Sequence, residues 1–153
     1  MIKTSISRHE NIYECFPDIA RAADGTLVCI NRESMMHAPF PFSRLAVRRS
    51  GDEGMNWSER EILIDCVARP ENVAANRSWL EPDAIAGYEE SRARVREPWQ
   101  VGASLNCPRI VCLRDGTLLL FGDFTVAHAD GRRWHRGSGA AATTGPRGRV
   151  PSG

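Results

Sequence analysis

Lysine is almost missing from this chain: of 20 basic residues only Lys3 is a lysine, and the rest are arginine. GC-rich coding produces such a bias. A sharper reading is guanidinium groups kept for carboxylates, which their planar fork fits. The chain also lacks any large excess of charge. At a net +1 it has no polyanion-binding surface as its main business, so nucleic acid is not the expected partner. Long hydrophobic runs are absent too. No segment reaches the roughly 20 apolar residues of a membrane span, and the opening MIKTSISRHENIYE has no signal-peptide core. The expectation is a cytoplasmic chain with no membrane partner, in which the sequon Asn76-Arg77-Ser78 carries no weight. No cysteines stand at CxxC spacing. The five (Cys15, Cys29, Cys66, Cys107 and Cys112) are odd in number and mostly lie in apolar runs, a pattern of buried free thiols in a reducing compartment. The histidines (His9, His37, His128, His135) lack zinc-ligand spacing, and there is no carboxylate cluster or glycine-rich phosphate loop. Neither a metal nor another cofactor is expected.

What is present is ordinary in bulk and repetitive in detail. A chain of 153 residues, 42% hydrophobic and 25% charged, has the size and composition of one soluble domain. PDIARAADGTLVCI (17–30) lines up without gaps on PRIVCLRDGTLLLF (108–121). In both copies an alternating apolar run meets Asp-Gly and a second run follows. Glycine supplies the positive φ that a tight hairpin needs, so each copy predicts two antiparallel strands.

SRLAVRRS (43–50) and WSEREILID (57–65) alternate in the same way, making residues 14–66 a four-stranded meander of the kind that forms a propeller blade. Residues 1–13 lead into it. The stretch 67–105 breaks the pattern and reads as an insertion, with Pro82 opening a helix to about Arg96 and Pro98 beyond its end. Residues 106–130 form a partial second blade. From Gly131 alternation stops, no acidic residue balances the arginines, and 131–153 is expected to be a disordered or aberrant tail.

Between the third and fourth expected strands stands SGDEGMNW (50–57). In a tight bend the Asp52 carboxylate can accept backbone amides, the Ser50 hydroxyl can do the same, Gly54 allows a left-handed turn, and Trp57 can fold over the hairpin. The stretch resembles the Asp box, SxDxGxTW, of the sialidase (neuraminidase) superfamily, with Asn56 where Thr is usual. The order ECFPDI, DGTLVCI, Asn31-Arg32-Glu33, SRLAVRRS and SGDEGMNW also resembles the start of that family, in which FRIP precedes a GTLLA strand and an arginine-bearing loop. The resemblance covers about residues 14–65, with a partial second unit at 107–124. It implies an all-β fold, an incomplete sialidase-like six-bladed propeller of about one and a half four-stranded blades, with Ser50, Asp52, Gly54 and Trp57 as structural Asp-box residues. A ring needs more blades than this, so the chain is expected to be a fragment, a truncated product or part of an assembly, able to self-associate through open blade edges.

Sialidases are implied to hold a carboxylate with three arginines and to use a Tyr–Glu nucleophile pair and an Asp acid/base. Cys15 falls where the first of those arginines belongs, and the loop ESMMHAPFPF contains no Asp. Arg32 matches the arginine after the GTLLA strand and is the best candidate. Glu33 and His37, placed in that loop, are candidates for acid/base work. Asp18 and Arg109 hold equivalent places in the two repeats and can pair or face a pocket, and Asp123 follows the second hairpin as Arg32 follows the first; these three are candidate substrate-binding residues. Tyr13 and Tyr88 do not match the nucleophile's context. Three readings follow: a sialidase-like glycoside hydrolase fragment, directed to glycans and inactive alone; a non-catalytic propeller module for a glycan or a protein; and a truncated product without independent function.

Overall fold

The computed structural model describes residues 4–7 and 9–126 with their side chains, and 135–144 as backbone. Two antiparallel sheets dominate it. The first runs β1 (Tyr13–Arg21), β2 (Leu27–Ser34), β3 (Phe42–Ser50) and β4 (Glu61–Val67), in sequential order. The second runs β5 (Ala103–Cys112), β6 (Leu118–Val126) and β7 (His135–Thr144).

Both repeated hairpins close in the same way. Gly25 and Gly116 take φ of +89° and +85°. The Gly25 amide bonds the Ala22 carbonyl and the Ala22 amide bonds Thr26; Gly116–Leu113 and Leu113–Thr117 repeat this. Asp24 and Asp115 each accept the amide two residues on. This is a type I turn followed by a left-handed glycine, the three-residue hairpin loop whose twist suits paired strands. The copies share a second irregularity. The ladder slips between Cys15 and Asp18 and again between Asn106 and Arg109. At each slip a residue preceding proline, Phe16 or Cys107, takes positive φ (53° and 40°). Residues before proline avoid that region, so each copy carries a strained bulge at the same point.

The inner face of the first sheet (Val28, Ile30, Leu45, Val47) packs on Ala103, Leu105, Ile110, Leu118 and Leu120 of the second, forming one shared core. The stretch joining the sheets holds two helices, α1 (Pro70–Ala75) and α2 (Pro82–Arg94), with 3₁₀ turns at Arg77–Trp79 and Pro98–Gln100. Proline opens both helices, where its missing N–H costs nothing. Val73 and Tyr88 pack on Phe42 and Val67, so the insertion covers one end of the first sheet's outer face.

The structure differs from the sequence expectations at four places. The helix ends at Arg94 and α1 precedes it. The fourth strand begins at Glu61 rather than Trp57, because the segment after the turn is held by the Ser58–Arg49 contacts outside the ladder. Asn31, Arg32 and Glu33 lie in β2, not in a loop, since the ladder with β3 runs on to Ser34↔Ser43. The tail expected to lack order from Gly131 instead supplies a third strand, with Leu118↔Thr144 to Val126↔His135 paired along β6. Gly, Ala, Ser and Thr give no apolar alternation there, but the ladder is made by backbone groups and needs none. Residues 131–134 and 145–153 of that tail lie outside the described residues.

Candidate functional site

The strand directions place all three tight turns at one end of the sheets. At that end the Ser50–Trp57 stretch satisfies its own polar groups. The Ser50 hydroxyl donates to Asp52 Oδ1 (2.8 Å) and accepts the Gly54 amide (2.9 Å). Asp52 also accepts the Asn56 amide (2.9 Å) and the Asn56 side-chain amide (2.7 Å). These bonds hold its carboxyl down at about 2, led by the Asn56 amide. Gly54 has φ +84°, and the Trp57 indole donates back to its carbonyl at 3.1 Å. Thr4 donates to the same carbonyl, and Arg21 pairs with Glu53 at 2.7 Å.

Arg32 lies toward the opposite end, buried on the inner face. Its Nη1 donates to Asn106 Oδ1 (2.8 Å), its Nη2 to the His37 carbonyl (2.6 Å), and its Nε to Cys15 Sγ (3.2 Å). The guanidinium also sits 5.0 Å from the Phe16 ring centroid. Cys15, which occupies the place of an expected arginine, is thus a direct partner of Arg32, and burial raises its thiol pKa against the guanidinium's pull. Arg32 therefore ties β1, β5 and the loop after β2 together. That loop presents His37 to solvent, with Nδ1 3.2 Å from the Tyr13 hydroxyl and the ring against Phe16. An imidazole and a phenol in hydrogen-bond contact can pass a proton between them. Beside Tyr13 opens a depression of about 550 Å³, bordered also by Met35, Asn11, and Glu81 and Asp83 at the start of α2.

Glu33 points away from this group, onto the outer face. It is fully buried, with Arg60 Nη1 at 2.9 Å, Arg44 Nε at 3.5 Å and Arg48 Nη2 at 3.7 Å. Arg44 reaches on to Glu90 of α2; burial disfavours its carboxylate, yet bonds from Arg94 and Arg44 hold its pKa down to about 2. Arg94 in turn bonds Asp65 at 2.7 Å. His9, Glu14 and Glu33 bring ligand-type atoms together. The cation they surround is Arg48, whose Nη2 lies 3.0 Å from His9 Nε2 and 3.3 Å from Glu14 Oε1.

Of the six candidate residues, then, Arg32 and His37 share one cluster, and Glu33 belongs to a separate ionic one. Asp18 is spent between the sheets: Oδ2 accepts the Ile110 amide at 3.0 Å and Oδ1 the Ile19 amide. Arg109 is exposed and donates to the Pro108 carbonyl. Asp123 pairs in register with Asn106, which holds Arg32. Tyr13, Phe16 and Asn106 belong to the Arg32 group and escape a motif-based reading. The matched dipeptides Phe16-Pro17 and Cys107-Pro108 were the available signal.

No family model matches the chain, and no curated protein matches it by sequence. Among solved structures it is similar to the Hadza microbial sialidase Hz136, at 16% sequence identity and a TM-score of 0.41. The alignment covers 87% of this chain and 25% of that one, so the chain spans about a quarter of that protein's length.

Proposed function

We propose that the two sheets are successive blades of a sialidase-like β-propeller, and that the chain is a glycan-directed part of such a protein with no turnover of its own. The observation that carries this reading is the Ser50–Trp57 turn. Its hydroxyl, carboxylate, left-handed glycine and indole are all consumed within it, at the turn end of a four-stranded meander. The repeated bulged hairpin supports a second unit built like the first. Six blades and hydrolysis of a sialoside or another glycan belong, on this reading, to a complete ring.

The local chemistry supports inactivity of the chain alone. The three donor nitrogens of Arg32 are engaged by Asn106, His37 and Cys15, and no second arginine stands at position 15 to clamp a carboxylate. A second reading, a non-catalytic module, is favoured by the depression beside Tyr13, whose lining includes an aromatic residue and the acidic residues Glu81 and Asp83, residue types that suit stacking on and bonding to a sugar. Fluorogenic sialosides incubated with the purified chain are expected to show no turnover. Turnover that Arg32→Ala abolishes would overturn the inactive reading. Glycan-array binding that Tyr13→Ala removes, without hydrolysis, would select the binding module.

A further inference from the structure

The two sheets meet most closely along β1 and β5. There Asp18 Oδ2 accepts the Ile110 amide at 3.0 Å, so one short side chain reaches from strand to strand. At the turn end a Cβ added to Gly116 would stand 3.1 Å from the Ala23 Cβ. These two contacts advance together along both strands, so β1 and β5 run parallel with a nearly fixed stagger. Carried the other way, that stagger sets Cys15 beside Cys107, each three residues before its end of the Asp18–Ile110 contact. Arg32 marks the same level independently. Its Nε bonds Cys15 Sγ at 3.2 Å, and its Nη1 bonds Asn106, the residue before Cys107, at 2.8 Å. The two sulfurs also feel one another: the Cys15 pKa is raised by burial, lowered by Arg32 and raised again by a charge on Cys107.

We propose that Cys15 and Cys107 are a dithiol pair that a small-molecule disulfide oxidises to a covalent link between the two sheets. Burial assigns the two roles. Cys107 is half-buried and within reach of a reagent, whereas Cys15 is 8% exposed. Cys107 gives its proton to water, and its sulfur attacks one sulfur of the oxidant. That S–S bond breaks and one small-molecule thiolate leaves. Cys15, its proton also passed to solvent, then attacks Cys107 Sγ and expels the second thiolate. The two thiolates take up the two protons, so two protein thiols are oxidised and one disulfide is reduced to two thiols. The Arg32 guanidinium beside Cys15 favours the thiolate that the second step needs. The other cysteines stand apart from the pair: Cys29 is paired in register with Arg48, Cys66 lies in the shared core, and Cys112 is farther along β5. Oxidation also reaches Arg32, because the Cys15 thiol donates to its carbonyl at 3.6 Å and a disulfide has no proton to donate. The inference rests on the placement of the thiols and stands whether or not the chain binds glycans.

Oxidised glutathione added to the folded full chain, followed by alkylation and peptide mass mapping, tests this. The wild type is expected to lose two of its five free thiols and to yield a peptide cross-linked through Cys15 and Cys107. Dithiothreitol should restore both thiols. Cys15→Ser should halt the reaction at its first stage, with one glutathione held on Cys107. Cys107→Ser should leave Cys15 a free thiol, since the reagent then has no entry to the pair. Circular dichroism reports whether each variant stays folded, and the wild-type map decides the matter where one does not. Retention of all five thiols by the wild type would overturn the proposal. So would glutathione that stays on Cys107 without passing to a Cys15 link, or a disulfide that joins any other pair or two chains.

Discussion

Glu33 shows what a single register position decides. As part of a tripeptide with Asn31 and Arg32 it reads as a reachable acid. Its pairing opposite Arg44 puts it instead on a covered face among three guanidiniums. Buried charges are tolerated when they are paired, and removing one member leaves the others uncompensated. Glu33→Gln would remove the one carboxylate that Arg44 and Arg48, 1% and 4% exposed, share, leaving each with a single acidic partner, Glu90 and Glu14. It should therefore cost about 3 kcal/mol, read as a lower urea midpoint. His37→Ala, at an exposed site, should change stability by less than about 0.5 kcal/mol. Equal effects from the two would show that the ionic cluster does not hold the outer face.

At the scale of an element, the Ser50–Trp57 turn is a self-contained hydrogen-bonded unit with a pH limit. The Asp52 carboxyl titrates at about 2 when folded, against 3.8 ordinarily. A group whose folded pKa is depressed stabilises the fold above its unfolded pKa, and that contribution is lost as pH falls through the folded value. The turn's contribution is thus complete above about pH 4 and fades toward pH 2. Asp52→Asn removes the titration. The melting-temperature gap between wild type and Asp52→Asn should therefore be widest near neutrality and narrow steadily between about pH 4 and pH 2. A gap constant across that window would mean that the carboxylate's charge does not hold the turn.

At the scale of the whole molecule, the two sheets share one apolar core, so they are expected to unfold together. Ile30, fully buried, lies in the layer between them with Leu105, Ile110 and Leu120. Truncating such a side chain removes its transfer free energy and leaves a cavity, about 2–5 kcal/mol together. Ile30→Ala should lower the urea midpoint in a single transition, in which circular dichroism and tryptophan fluorescence coincide. Trp57 lies in the turn joining β3 to β4 of the first sheet, and Trp99 packs on Phe124 of the second. Separate transitions for the two signals would show that the sheets fold as independent units.

By itself the sequence determined the local structure. Asp-Gly between alternating runs set both hairpins, because only a left-handed glycine closes that loop without strain, and proline opened both helices. The third strand of the second sheet was hidden: its backbone pairs along β6, and backbone pairing leaves no mark in a run of small residues. The neighbours of the candidate site were likewise decided in three dimensions. Which face Arg32 and Glu33 take follows from strand register, and a two-residue bulge at each X-Pro pair resets that register within its hairpin. Asn106 meets Arg32 only because the second sheet packs across the first. Periodicity sees one chain segment at a time, whereas these partners are brought together by burial of the core the two sheets share.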